Sequence, residues 1–257
     1  MKILVLGSID GDVDKVNAIL NSHKDVDMAV CLGDMCLASQ STPLEFFLRT
    51  KFRHQADIPI QANKDGFIFS RPTYLVYGAL DDPFIPLNEL GMKNLFPVWQ
   101  ERTTVMAYND DYSKMEGRSI GFLSGYYNLR KFKKTNPRRQ KMSRERQSMS
   151  LCKDDFLPFK QDLIEILFSY ESPFGYPKLN DDGLSFGCPN ITTLVEKSKV
   201  KVVFYGHHRV NNHVLDMNLN CHMIGLDGET YGLVDLYNKE ITLMSMDNET
   251  LEVFKYE

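Results

Sequence analysis

Apolar residues cluster in short runs that end in glycine. Lys2–Leu6 is continuously apolar after its lysine and closes at Gly7. Met28–Leu32 does the same at Gly33. Unbroken apolar runs of this length predict strands buried on both faces. Between them, Val13–Ser22 carries apolar positions at Val13, Val16, Ala18, Ile19 and Leu20. That spacing predicts a helix, and Asp12 and Asp14 sit where a helix dipole favours negative charge. Strand, helix, strand in 33 residues is a βαβ unit with a parallel pair. Further strands are predicted at Thr73–Tyr77, Ser119–Leu123 and Val200–Tyr205. A partly helical stretch is predicted over 38–61, a helix over Lys160–Ile166 running into a strand at Ile164–Ser169, and a helix over Asn190–Ser198. From Val214 to Glu257, short runs separated by turn sequences predict an antiparallel C-terminal sheet.

The pattern describes an α/β chain, parallel in its first half. No Gly/Ser linker or internal repeat divides it, so residues 1–257 are expected to form one domain. In open α/β sheets ligands bind at the carboxyl ends of strands. The loops to examine are 7–11, 33–37, 78–83, 125–128, 170–176 and 206–209.

Composition narrows the class. With 43% hydrophobic and 25% charged residues, the 257-residue chain is globular rather than disordered. Five widely spaced cysteines suit a reducing, intracellular compartment, cytoplasmic or nuclear. No stretch approaches the ~20 apolar residues of a membrane span. The net charge of −4 excludes a uniformly basic coat but hides one segment. Residues 130–146 hold nine cations, Arg130, Lys131, Lys133, Lys134, Arg138, Arg139, Lys141, Arg144 and Arg146, against Glu145 alone. This basic loop reads as a solvated surface, as nuclear targeting, or as a contact for RNA or another polyanion. Phe132 is its one aromatic, which is sparse for a base-stacking platform.

The loops, taken in order, carry G-S-I-D-G at 7–11, C-L-G-D-M at 31–35, V-Y-G-A-L-D-D at 76–82, F-L-S-G-Y-Y-N at 122–128, F-S-Y-E-S-P-F-G at 168–175, F-G-C-P-N-I-T-T-L-V at 186–195 and F-Y-G-H-H-R at 204–209. In order and spacing they resemble the calcineurin-like metallophosphoesterases, over most of the chain. The resemblance implies a four-layer α/β/β/α sandwich. It also implies a phosphoesterase site in which strand-end Asp, Asn and His hold two divalent ions that polarise a phosphate and activate water.

The matching positions depart from the pattern. Ser8 stands where the family has Asp, and Asp10 where it has His. Asp34 matches the bridging Asp. Ala79 and Leu80 replace the Asn and His of the third motif, and Tyr170 replaces a metal-binding His. His207 matches the first His of the last motif, and Arg209 replaces the second. Asp34 and His207 therefore read either as relics held by hydrogen bonds or, with Asp10, as a residual site for one Mn²⁺ or Mg²⁺. A rebuilt site would draw on Asp81, Asp82, Glu171 or His208. Arg209 is expected to take a metal's place and pair with Asp34 or Asp10, because a buried carboxylate needs a compensating charge. His213 and His222 read as surface or core histidines. The resemblance with these losses implies a pseudoenzyme that needs no cofactor and serves as a binding or scaffold protein, as some RNA-processing and trafficking branches of the superfamily do. The rival expectation is a weak metal-dependent phosphohydrolase.

Overall fold

The computed structural model describes residues 1–39, 42, 57–85, 89–109, 112–128, 132, 150–159, 163–176 and 186–257. Two sheets face each other. The first contains β1 (Lys2–Leu6), β2 (Met28–Cys31), β3 (Ile68–Val76), β4 (Lys93–Val98), β11 (Thr230–Asp235), β12 (Glu240–Ser245) and β13 (Thr250–Lys255), in the order β13-β12-β11-β1-β2-β3-β4. The second contains β5 (Gln100–Tyr108), β6 (Met115–Leu123), β7 (Ile166–Ser169), β8 (Val202–Tyr205), β9 (Asn212–Asp216) and β10 (Cys221–Gly225), in the order β5-β6-β7-β8-β10-β9. Helices α1 (Val13–Ser22) and α2 (Asp57–Asp65) lie on the first sheet. Helix α3 (Pro189–Ser198) and a 3₁₀ helix (Lys153–Phe159) lie on the second.

Three buried clusters separate these layers. Between the sheets, Ile3, Val5 and Val30 meet Phe122, Phe168 and Phe204. Leu4 and Leu6, the alternate residues of β1, face Val13 and Val16 of α1. Val203 and Tyr205, the alternate residues of β8, face Ile191 and Leu194 of α3. Both faces of β1 and β8 are covered, which is why those strands read as unbroken apolar runs. The layers are the α/β/β/α arrangement that the resemblance implied.

Register aligns the core. Phe122, Phe168 and Phe204 are direct partners across β6, β7 and β8. Their rings stack at 5.6 and 5.8 Å, and Tyr74 of β3 continues the stack at 5.6 Å from Phe122. Aromatic pairs of this kind each contribute about 0.5–1.5 kcal/mol beyond their buried area. The ladder fixes the relative register of strands whose ends carry the site. Helix α1 starts where Asp12 accepts the Lys15 amide at 2.9 Å, an N-cap. Helix α3 starts with Pro189 in its first turn and ends at Lys199 with φ 51°.

Two expectations need correction, and two strands were not anticipated. Residues 163–165 are not helical, and 160–162 lie outside the described residues; the helix of this region is the 3₁₀ turn at Lys153–Phe159, which contains Pro158. The C-terminal strands do not form one antiparallel sheet. β11–β13 extend the first sheet, whereas β9 and β10 extend the second, and β10 runs parallel to β8. Strands β4 and β5 had no clear apolar signature. Both are sheet edges with mostly partly exposed or exposed residues, and Pro97 is accommodated because β4 is an edge. All five cysteines are free and buried. No helix among the described residues is long and apolar enough to cross a membrane.

At the far edges of both sheets, β13 meets β9 and β10. His213 Nε2 and His222 Nδ1 are 2.8 Å apart, His213 Nδ1 is 2.9 Å from Glu252 Oε1, and both imidazoles lie over the Phe254 ring at 4.0 and 4.8 Å. An N···N hydrogen bond requires at least one neutral ring. Burial first, and then His213, depress the His222 imidazole below its ordinary 6.5, against the pull of Glu252. A histidine kept neutral by the fold contributes its full stability above the unfolded value of about 6.5 and loses it as pH falls below. Urea unfolding at pH 5 and pH 7.5 should therefore show a larger acid loss in the native chain than in His222→Phe. Equal losses would remove His222 from the acid sensitivity.

Candidate functional site

The site lies where β1, β2 and β3 of one sheet and β7 and β8 of the other end together. Two glycines set its shape. A Cβ on Gly33, which has φ +89°, would sit 2.3 Å from the Tyr170 ring. One on Gly78 would sit 2.6 Å from Asp34 Oδ1 and 2.7 Å from the same ring. The loops after β2 and β3 can therefore close around the Tyr170 side chain, which is fully buried among them.

Tyr170 is bonded to Asp34. Its hydroxyl lies 3.0 and 2.9 Å from the two carboxylate oxygens, so a single O–H donor serves both. The Leu80 amide donates to Asp34 Oδ1 at 3.1 Å. Burial, and then the Asp34 charge, raise the Tyr170 phenol well above its ordinary value of 10. It stays a neutral donor over the whole working pH range.

Asp81 joins the second and third loops. It is fully buried and accepts the amides of Leu37 at 2.9 Å and Gly78 at 2.7 Å. Burial, then the Asp34 charge, push its carboxyl up to about 7, against those amides. Asp82, also buried, accepts the Thr42 hydroxyl at 2.8 Å and the Phe84 amide at 2.9 Å.

At the rim, Arg209 grips Asp10 through both guanidinium nitrogens, Nη1 to Oδ2 at 2.7 Å and Nη2 to Oδ1. Burial holds the Asp10 carboxyl above the ordinary carboxylate value even so, with a smaller push from Asp34. Arg209 thus pairs with Asp10, one of its two expected partners, and Tyr170 bonds the other, Asp34. Asp10, Asp34 and Arg209 all have left-handed backbones, φ 52°, 53° and 51°, a conformation that Asp tolerates better than most residues. Ser8 donates its hydroxyl to the Gly206 carbonyl at 3.2 Å. Ala79 and Leu80 are buried.

The histidines turn to a different acid. Glu171 is almost fully buried and has four donors on its carboxylate. They are the amides of Tyr127 at 2.7 Å and Ser172 at 3.0 Å, His207 Nδ1 at 3.1 Å and His208 Nε2 at 2.7 Å. Burial would raise this carboxyl, but the two histidines overcome it and hold it far below its ordinary value. The rings of Tyr170, His207 and His208 stack in succession at 4.6 and 4.7 Å. Glu171, His207 and His208 each bring one ligand atom within 4.8 Å of the others, and among the described residues they are the one such group of three. Asp10, Asp34 and His207 do not converge in that way. The sequence singled out Glu171 and His208 separately; that one acid ties both histidines was not legible, although the adjacency of Tyr170 and Glu171 at one strand end was the signal available. Of the basic loop, only Phe132 is among the described residues, and its nine cations lie outside them.

Comparison with known proteins gives this geometry a lineage. The sequence profile of calcineurin-like phosphoesterases matches residues 1–210. The chain belongs to that family. Among solved structures, a dimetal phosphatase from Danio rerio is similar over all of this chain and 99% of its own, with a TM-score of 0.58 and 12% identity. Yfce, a phosphoesterase from E. coli, covers 100% of both chains with a TM-score of 0.42 and 11% identity. The likeness to the dimetal phosphatase, at 12% identity, speaks to the fold alone. No curated protein sequence matches significantly.

The Tyr170–Asp34 bond can be tested by removing one atom. Tyr170→Phe keeps the ring and deletes the hydroxyl, leaving a buried carboxylate one donor short. Such a loss costs about 1–3 kcal/mol, read as a lower midpoint in urea unfolding with an unchanged slope. An unchanged midpoint would show that the hydroxyl is not required by Asp34.

Proposed function

We propose that this metallophosphoesterase-fold protein is catalytically degenerate and acts as a binding or scaffold protein. The observation that supports this most is the Tyr170 phenol on both oxygens of Asp34. At the centre of the strand ends, the acid that matches the bridging ligand is satisfied by a neutral side chain of the protein itself. The neighbouring positions agree. Arg209 brings a fixed positive charge, Ser8 spends its hydroxyl on a carbonyl, and Ala79 and Leu80 have no ligand atoms. The residues present do not fit the two-ion centre of the family, since such centres need most of their ligands and lose 10–100-fold even from changes one shell out.

A second reading is a weak hydrolase holding one divalent ion, Mn²⁺ or Mg²⁺, and the convergence of Glu171, His207 and His208 favours it. The four donors on Glu171 count against it, because a carboxylate offers about four lone-pair sites and these are taken.

One assay separates the readings. With p-nitrophenyl and bis-p-nitrophenyl phosphate and added Mn²⁺, turnover is expected at background, and crystals soaked in Mn²⁺ should show no pair of anomalous peaks beside Asp34. Robust Mn²⁺-dependent hydrolysis abolished by Asp34→Asn would overturn degeneracy. Hydrolysis abolished by His208→Ala but kept in Asp34→Asn would establish the single-ion reading.

The partner contact that we propose is the basic run 130–146, with RNA or another polyanion as the ligand. Its support is the charge of +8 on a chain whose remainder is −12. Each neutralised phosphate should contribute about −0.7 to −0.9 to the slope of log K against log salt. Reversal of Arg138, Arg139, Lys141 and Arg144 to Glu should abolish oligonucleotide binding with little change in thermal stability. Binding that ignores either salt or the reversal would remove the run from the contact.

A further inference from the structure

A second concave feature lies away from the strand ends, on the helical layer of the second sheet. The 3₁₀ helix and α3 there line a cavity of about 560 Å³, within the range of small-molecule sites. Its apolar lining is Phe156 and Phe159 from the 3₁₀ helix and Leu194 from α3; Thr193 lies on the α3 wall. Phe159 and Leu194 belong to the buried cluster beneath, so the floor is rigid rather than a loose surface patch. Each wall contributes one lysine, Lys153 from the 3₁₀ helix and Lys197 from the last turn of α3. Neither ammonium has an ion pair or hydrogen bond among the described residues. Asp154 and Glu196 adjoin these lysines in sequence but do not line the cavity.

Aromatic and aliphatic groups below two uncommitted cations are complementary to one kind of ligand. An apolar body would displace water from Phe156, Phe159 and Leu194, and an anionic head would meet charges from both walls. A cation would be repelled by both lysines. Phe132 packs edge-on against Phe156 at 6.1 Å and against Tyr127 at 5.4 Å. Tyr127 in turn donates its amide to Glu171. A ligand on Phe156 is thus two ring contacts from the acid that holds both histidines.

We propose that the groove between the 3₁₀ helix and α3 binds an amphipathic organic anion, with its apolar body on Phe156, Phe159 and Leu194 and its anionic head between Lys153 and Lys197. The claim is independent of the metal question, since no residue of the strand-end site lines the groove.

The probe is 8-anilinonaphthalene-1-sulfonate, titrated into the full chain at low salt, with dodecanoate and adenosine monophosphate as competitors. One saturable site is expected. The double reversal Lys153→Glu/Lys197→Glu should weaken it at least tenfold, and Thr193→Trp should weaken it by filling the groove. Displacement by dodecanoate assigns an acyl body, and displacement by the nucleotide alone assigns an aromatic one. Circular dichroism and thermal midpoint check that the variants fold, and Lys153→Gln/Lys197→Gln replaces the reversal if it does not. The proposal is overturned if no saturable site is found up to millimolar probe, if folded variants bind as the native chain does, or if neither competitor displaces the probe.

Discussion

One hydrogen bond organises the centre of this molecule. The Tyr170 hydroxyl serves both oxygens of Asp34 inside a volume closed by two glycines, and three features follow from that placement. Gly33 and Gly78 cannot carry a side chain while the ring is there. Asp34 is held near Asp81, and burial, then the Asp34 charge, lift the Asp81 carboxyl to about 7. The ring also presents a flat face on which His207 stacks, and His208 stacks on His207. Removing the phenol would disturb a carboxylate, two loops and an imidazole pair, whereas each of those neighbours touches only part of the set.

That bond depends on the sheets meeting in a fixed register. Tyr170 directly follows β7 of one sheet, and Asp34 lies in the loop after β2 of the other. The stack from Tyr74 through Phe122, Phe168 and Phe204 spans both sheets and holds β3 against β6, β7 and β8. Gly206 lets the end of β8 approach the Leu32 carbonyl, 2.7 Å from where its Cβ would stand. A fold that evolved to bring ligands from two sheets to shared ions brings side chains together as readily. The difference lies in which side chains meet there.

The layered fold and the addresses of the site were legible because they rest on periodicity and on local turn chemistry. Lys2–Leu6 and Val202–Tyr205 are buried on both faces and say so in their composition. Edge strands are half-solvated and alternate irregularly, so Lys93–Val98 and Gln100–Tyr108 gave no such signal. The division of the C-terminal strands between two sheets depends on pairing across more than 200 residues, as between Leu6 and Tyr231, which no local pattern encodes. Within the site, the positions could be named one by one. Apart from the pairing of Arg209 with one of two acids, their partners could not. The choice of Arg209 for Asp10, and of Tyr170 for Asp34, is a matter of reach and burial once the loops are folded, and the fourfold use of Glu171 includes two backbone amides invisible to residue type.

Charge decides what such a centre can attract. Asp10, Asp34, Asp81, Asp82 and Glu171 gather at the strand ends, and the Arg209 guanidinium is paired to Asp10. Two divalent ions would make a similar set of acids attractive to a phosphate. A phenol adds no charge, and a single guanidinium offsets a single carboxylate. An incoming phosphate would then meet acids already satisfied by hydrogen bonds and a field of its own sign, strongest where water is excluded. On the degenerate reading, anions have no reason to enter the old site. Among the unpaired positive charges elsewhere are those of Lys153 and Lys197 on the outer helical layer of the second sheet. On that reading an organic anion is expected at the outer helical layer, and the strand ends serve as a core whose acids are satisfied from within.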